Sequence, residues 1–245
     1  MHIDRVTLTP SNSLILSAMA VMLLMLLVVV SVTVAGSVAP CCFSEKGEGF
    51  VNLAGEVGFR RIKYAAVVKF SVDYSALRTA ASERLYTDSG MKRYQVIDDY
   101  KEKKRYVIYG ERKCYVAPLF SVLTPRCNLK NATFIGSSYL GVGASALMID
   151  TYAVDARRQH VQAVVGVTVD TQNNCIPVSE LAKGTKNHKP FSQAMSFYNY
   201  TLGVKDPAVF VPPKFCGKAM SPSTRMMRLP DTMQRILDFL TVPNE

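Results

Sequence analysis

The stretch from Arg61 to Tyr74 puts Ile62, Tyr64, Ala66, Val68, Phe70, Val72 and Tyr74 in one phase, and Arg61, Lys63, Lys69, Ser71 and Asp73 in the other. Side chains of a strand point alternately to its two faces, so a period of two held over fourteen residues predicts a long strand with one apolar face. Such length suits a large, curved antiparallel sheet. Val161 to Val169 repeats the pattern, with Val161, Ala163, Val165, Val167 and Val169 in step. Shorter β-rich pieces surround Tyr94–Ile97, Tyr106–Tyr109, Leu147–Tyr152, Ile176–Leu181 and Phe197–Val204. Turn-forming separators stand between them: Asp88-Ser89-Gly90, the charged run Lys101–Arg105, and Asn173-Asn174. No helix-length periodic stretch intervenes, which gives an antiparallel all-β fold and not alternating β and α units. With 49% hydrophobic and 20% charged residues the chain is not an intrinsically disordered one.

The two ends depart from this pattern. Residues 13–35 are almost free of polar groups, Ala18 to Val30 is an unbroken apolar run, and Ala35, Gly36, Ser37 and Ala39 follow it. A charged start, an apolar run and small residues after it are the parts of a secretory signal peptide, placed here at 1–36. The alternative is an uncleaved signal anchor, because the whole apolar stretch is long enough to span a bilayer. At the other end, Leu229, Met233, Ile236, Leu237 and Leu240 recur at helical spacing behind Asp231, a candidate cap. The expected organisation is therefore a signal at 1–36, a β domain at 37–216, and a tail at 217–245 with a short amphipathic helix docked on the domain.

Six cysteines lie beyond the apolar run: Cys41, Cys42, Cys114, Cys127, Cys175 and Cys216. An even count in an exported chain reads as disulfides, and six allow fifteen pairings among which spacing does not choose. Cys41 and Cys42 are adjacent and are expected to reach different partners. Two sequons, Asn131-Ala-Thr133 and Asn199-Tyr-Thr201, become glycosylation sites in such a chain and are expected at the surface. The formal charge is +10, and residues 1–35 contribute none of it, holding one Arg and one Asp. Outside the cytosol that balance favours acidic partners, matrix glycans or an anionic membrane surface over nucleic acid.

Catalytic groups do not assemble. Past the apolar run the only histidines are His160 and His188, neither in a zinc spacing; no G-x-S-x-G elbow occurs. Gly141-Val142-Gly143 lacks the spacing of a dinucleotide loop. No catalytic residue is assigned and the chain reads as a non-enzyme. Asp170-Thr-Gln172-Asn-Asn174 echoes the opening of a calcium loop but carries Cys175 where glycine is needed and Leu181 where glutamate is needed. Calcium remains the one cofactor candidate, with no residues assigned to it.

The stretch Leu202-Gly-Val-Lys-Asp-Pro-Ala-Val-Phe-Val-Pro-Pro-Lys-Phe-Cys216 resembles the L-G-[IV]-K-D-P-x-V-F-x-P-P-x-x-C ending of the ependymin family. Asn131-Ala-Thr133-Phe134, Cys175-Ile-Pro177-Val178 and the placement of Cys42 resemble other landmarks, so the likeness runs from about residue 41 to 216. The resemblance implies a secreted or lysosomal glycoprotein, usually a homodimer. It also implies a pair of curved antiparallel sheets enclosing a deep apolar pocket, similar to bacterial lipoprotein carriers. Family members are linked to lipid or ganglioside binding, calcium binding and cell–matrix adhesion. Matched position by position, Cys42 would pair with Cys175, Cys114 with Cys216, and Asn131 would carry a glycan. Cys41 and Cys127 are left over, to pair with each other or to link subunits. Within the motif, Pro207 is expected to stop ladder pairing, Pro212-Pro213 to keep the chain extended, and Cys216 to pin it.

Two readings of function follow. In the first, the protein holds a hydrophobic ligand, a lipid or ganglioside, in a sheet pocket whose wall is Ile62, Tyr64, Val68, Phe70 and Val72, the same face that could otherwise serve as ordinary core. The alternative is a calcium-binding extracellular protein that acts in cell–matrix adhesion through its outer surface.

Overall fold

The computed structural model describes residues 41–218, except 89, 111, 157–160 and 187–188. The expected signal segment and the expected C-terminal helix lie outside the described residues.

Twelve strands run in chain order: β1 (Cys42–Phe43), β2 (Lys46–Val57), β3 (Ile62–Asp73), β4 (Arg78–Thr87), β5 (Gly90–Asp99), β6 (Lys104–Tyr109), β7 (Lys113–Pro118), β8 (Thr133–Leu140), β9 (Leu147–Ala156), β10 (Val161–Val169), β11 (Asn174–Lys186) and β12 (Lys189–Leu202). The two alternating sequence runs are β3 and β10. The all-β expectation stands, but the strands form one continuous sheet where a pair of sheets was expected. Its order is β7-β6-β5-β4-β3-β2-β12-β11-β10-β9-β8, antiparallel throughout, with the short β1 pairing parallel to β11. The joint is the pairing of β2 with β12, which runs from Phe191 opposite Val57 to Leu202 opposite Gly47.

Register makes one face of this sheet apolar. A single cross-strand row runs Phe134–Tyr152–Val165–Glu180–Met195–Leu53–Ala66–Leu85, from β8 to β4. The neighbouring row runs Tyr109–Tyr94–Glu83–Val68–Val51–Phe197, from β6 to β12. Side chains directly opposite one another on antiparallel strands lie close enough to pack, so each row is a ribbon of contacts. Val51, Leu53, Tyr64, Val68, Phe70, Leu85, Val96 and Met195 form one packed cluster on this face, and Tyr152, Val165 and Val167 form a second with Cys41, Leu129 and Cys175. Val68 and Val96 have no exposed surface, and burying an aliphatic side chain of this kind stabilises by about 1.5–3 kcal/mol.

Three glycines interrupt β2 on the apolar face, which is why this strand does not show as an alternating run. A Cβ on Gly55 would meet the Ser192 carbonyl oxygen at 2.4 Å and the Tyr64 hydroxyl at 2.8 Å; one on Gly49 would meet Phe70 and Tyr200. The missing side chains let Tyr64, Phe70 and Tyr200 lie across β2. Tyr64 thereby donates from its hydroxyl to Gln193 Oε1 on β12 at 3.4 Å.

The other face carries Ala80, Ile97, Ile108 and Cys114, and the residues after β12 cover it. Asp206 accepts a hydrogen bond from the Ala208 amide at 2.9 Å and caps a 3-10 turn over Pro207–Phe210; a second such turn spans Lys214–Lys218. Pro212-Pro213, expected to keep the chain extended, lie outside both turns and link them. Phe210 is buried on the sheet, and Cys216 is bonded to Cys114 on β7. At the far end of β5 and β6, Asp98 and Arg105 form a buried bidentate pair, with Nε–Oδ1 and Nη2–Oδ2 both 2.7 Å.

The remaining disulfides correct the implied pairing. Cys41 bonds to Cys175 and Cys42 to Cys127, in place of Cys42 with Cys175 and Cys41 with Cys127. Neighbouring side chains of an extended segment point to opposite sides. β1 lies alongside β11, with Phe43 opposite Cys175, so Cys41 turns towards β11. Cys42 faces away, towards the segment whose Arg126 carbonyl accepts the Phe43 amide at 2.9 Å.

Two measurements check this description. Tandem mass spectrometry that cleaves the Cys41–Cys42 peptide bond in the unreduced protein should leave Cys41 attached to the Cys175 peptide and Cys42 to the Cys127 peptide; the exchanged pattern would refute the geometry at β1. Gly55→Val should cost about 1–3 kcal/mol in urea unfolding, because it overpacks the site and displaces Tyr64 from Gln193. The same change at Gly136 on the edge strand β8, where a Cβ meets nothing within 4 Å, should cost less.

Candidate functional site

Between the two clusters of the apolar face lies a cavity of about 30 Å³, lined chiefly by Phe43, Phe70, Val72, Tyr74, Phe197 and Tyr200. Strands β3 and β12 supply the floor. The N-terminal segment supplies Phe43, and the segment between β7 and β8 supplies Thr124 and Asn128. Polar groups punctuate the aromatic wall. The Tyr200 hydroxyl shares a 2.7 Å hydrogen bond with Ser44 Oγ, and Asn128 Oδ1 is buried without a hydrogen-bond partner. Burial raises the Tyr74 and Tyr200 hydroxyls above the usual phenol range, so both are neutral at any physiological pH.

Of the five side chains expected in the wall, Phe70 and Val72 line the cavity. Tyr64 and Val68 share their face but are packed into the core cluster. Ile62 is not part of the wall, since 53% of it is exposed. Its strand continues there past the end of β4, whose pairing with β3 begins at Ala65 opposite Tyr86. Phe43, Thr124, Asn128 and Pro177 come from scattered positions that carried no local signal.

Two glutamates stand out on the same face. Glu83 is 3% exposed, and neither of its carboxylate oxygens has a hydrogen-bond partner. Burial pushes its carboxyl up to about 7. Glu180 is 4% exposed; burial pushes it up to about 8, opposed by a hydrogen bond with Gln193, while its Oε2 is unpaired. Tyr64, Gln193 and Glu180 thus form a polar thread through the apolar rows. A sequence signal for both acids exists: Glu83 falls in phase with Ala81 and Leu85, and Glu180 in phase with Ala182, on strands whose partners are apolar. An acid in the apolar phase of a strand marks an unusual burial.

The segment that echoes the opening of a calcium loop closes on itself. Asp170 Oδ1 accepts the amides of Gln172 and Asn174, both at 2.8 Å, and Oδ2 accepts the Asn174 side chain at 2.9 Å. This fixes the β10–β11 turn, in which Asn173 takes a left-handed conformation (φ 61°). Among the described residues no three His, Cys, Asp or Glu side chains converge as metal ligands. Asn131 and Asn199, the sequon residues, are both exposed.

The known proteins that this chain matches bear on its ancestry. No curated protein matches it. Among solved structures, an uncharacterized conserved protein from Thermus thermophilus is 8% identical, with a TM-score of 0.43 over 70% of this chain and 87% of that one. A β-barrel-like protein of a domain of unknown function from Brucella abortus is 7% identical, with a TM-score of 0.26 over 66% of this chain and all of that one. The ependymin family model matches residues 88–216, from the β4–β5 turn to the cysteine that pins the final strap on β7. With more than half of its residues matched in that way, the chain belongs to the ependymin family.

Proposed function

We propose that this protein is an exported, non-catalytic glycoprotein that binds a hydrophobic ligand, a lipid or ganglioside-like amphiphile, against the apolar face of its sheet. The observation that carries the reading is the aromatic cavity between two packed clusters on one continuous apolar face. An apolar wall with a few fixed polar groups is the usual make-up of a small-molecule site. Here Tyr74, Tyr200 and Asn128 are the polar groups and would meet a headgroup. The cavity's present volume suits about two water molecules, whereas a small ligand needs roughly 300 Å³ or more. Binding therefore requires the cover over the cavity to move aside. Glu83 and Glu180, buried with unpaired carboxylate oxygens, would gain hydration in any opening that reaches them.

Solvent extraction of the protein secreted by eukaryotic cells, followed by mass spectrometry, should yield lipid close to one molecule per chain. Val72→Trp, which fills the cavity, should lower that yield several-fold. A folded, disulfide-bonded protein that carries no lipid and takes up none from added vesicles would sink the proposal.

Stability should also depend on pH in a direction that the glutamates set. Both are protonated in the folded chain up to about 7 and 8, while in the unfolded chain a glutamate releases its proton near 4.5. Between those values the folded state holds protons that the unfolded state has lost, so stability falls as pH rises. For this pair it is fully present below about pH 4.5, declines as pH rises towards 7–8 and levels off above. The melting temperature should drop by about 10–20 °C between about pH 5.5 and 8.5. The double variant Glu83→Gln, Glu180→Gln should lose most of that drop; an unchanged slope in the variant would mean that other groups set it.

A further inference from the structure

Consecutive antiparallel strands place alternate turns at the same end of a sheet. The β2–β3, β4–β5 and β6–β7 turns therefore share one end, and the start of β12 joins them, since Phe191 pairs with Val57. At this end large apolar side chains stand in solvent. Phe59, in the β2–β3 turn, is 83% exposed; Ile62 is 53%, Met91 47% and Tyr86 44% exposed. Exposed cations surround them: Arg60, Arg61, Lys63, Arg84, Lys92 and Arg93, with Arg112, Lys113 and Lys189 on the neighbouring strands and turns. The acids described near this end are Glu56, which pairs with Arg61 at 3.4 Å, Asp88, and Asp155 near the end of β9.

The opposite end is built differently. Lys46 pairs with Asp73, Arg78 with Asp99, Lys104 with Glu102 and Arg105 with Asp98, so its cations are largely balanced by acids. Among the described residues the excess of cations over acids is thereby greatest at the Phe59 end. Single exposed apolar residues are ordinary on a protein surface, but a group of them within a cationic field is the composition that seats at a bilayer interface.

We propose that the Phe59 end of the sheet is a docking surface for an anionic lipid bilayer, with Phe59, Ile62 and Met91 entering the headgroup layer and Arg60, Arg61, Lys63, Lys92 and Arg93 contacting lipid phosphates and carboxylates. A soluble sulfated polysaccharide would satisfy the cations but would leave Phe59, Ile62 and Met91 in water, so the bilayer uses more of what the surface offers. Each basic residue near an anionic surface adds to the attraction, and the attraction is screened within a Debye length by salt. The inference stands apart from the ligand reading, because a sheet could dock in this way with or without a lipid between its clusters.

The test is co-sedimentation of the secreted protein with phosphatidylcholine vesicles, with and without about one-third phosphatidylserine. Binding is expected to the anionic vesicles alone and to fall steeply as salt is raised. Arg60→Glu with Arg61→Glu should weaken it about tenfold or more. Phe59→Ser should weaken it several-fold without changing the melting temperature. Lys101→Glu with Lys103→Glu, at the opposite end, should leave it unchanged and serves as the control for net charge. Failure of the wild-type protein to bind anionic vesicles overturns the proposal, as does equal loss from reversals at either end. Binding that depends on the arginines but not on Phe59, together with retention on a heparin column, would assign the surface to a soluble polyanion instead.

Discussion

The pairing of β2 with β12 makes one sheet out of two meanders. Without it, β2 to β7 and β8 to β12 would each leave an open edge of unpaired amides and carbonyls in the middle of the protein, a costly arrangement in any buried setting. With it, the apolar phases of both halves fall into register, so that Met195 on β12 meets Leu53 on β2 and a single row extends from Phe134 to Leu85. The same joint needs a thin strand at its centre. Gly47, Gly49 and Gly55 provide it, and their cost in backbone entropy is offset by the aromatic rings that cross above them.

Legibility in the sequence followed how far a strand's own side chains report its surroundings. β3 and β10 were readable because each has an unbroken apolar phase with mostly polar residues opposite. β2 was hidden by its glycines, and β4 by Glu83, which occupies an apolar position and breaks the alternation. β8 was hidden because it is an edge strand whose side chains are mostly exposed. Ile62 shows the limit from the other side. It is in phase with Tyr64, Ala66, Val68, Phe70 and Val72, all of them buried, yet it lies where the neighbouring strand has ended. The length of a neighbour is not written in the strand itself. The adjacent cysteines follow the same logic, since which of the two turns inwards is set by the pairing of β1 with β11.

The treatment of charge separates structural parts of the sheet from candidate functional ones. Asp98 is fully buried but held by both arms of the Arg105 guanidinium, the geometry that best compensates two desolvated charges. Glu83 has no such partner, although the chain carries 29 lysines and arginines. Facing it are Val68 from β3 and Tyr94 from β5, with Tyr109 beyond. Val165 and Met195 flank Glu180. The cations of these strands are mostly in the outward phase, so the lack of a described cationic partner for either acid is a property of the face. A region selected only for stability would carry leucine or valine at those two positions.

The small volume of the cavity and the size of a lipid can be reconciled by asking which of its walls is able to move. The floor strands β3 and β12 are hydrogen-bonded to a neighbour on each side, and displacing either would break a ladder. The roof is held in another way. Its N-terminal part is fastened to β11 through Cys41–Cys175, and its second part is fastened to the first through Cys42–Cys127. Towards the floor strands the chain passes directly into β2 at Lys46, the Glu45 carbonyl accepts the Tyr74 amide at 2.9 Å, and Ser44 shares a hydrogen bond with Tyr200. The last of these bonds contributes only about 0.5–1.5 kcal/mol net, and its donor and acceptor would be re-satisfied by water or by a headgroup once parted. The N-terminal part is nonetheless fixed at both ends, to β11 by its disulfide and to β2 by the chain, and the wall left to move is the segment between β7 and β8 that carries Thr124 and Asn128. Its opening would uncover Phe70, Val72 and Phe197 while leaving every strand of the sheet in place.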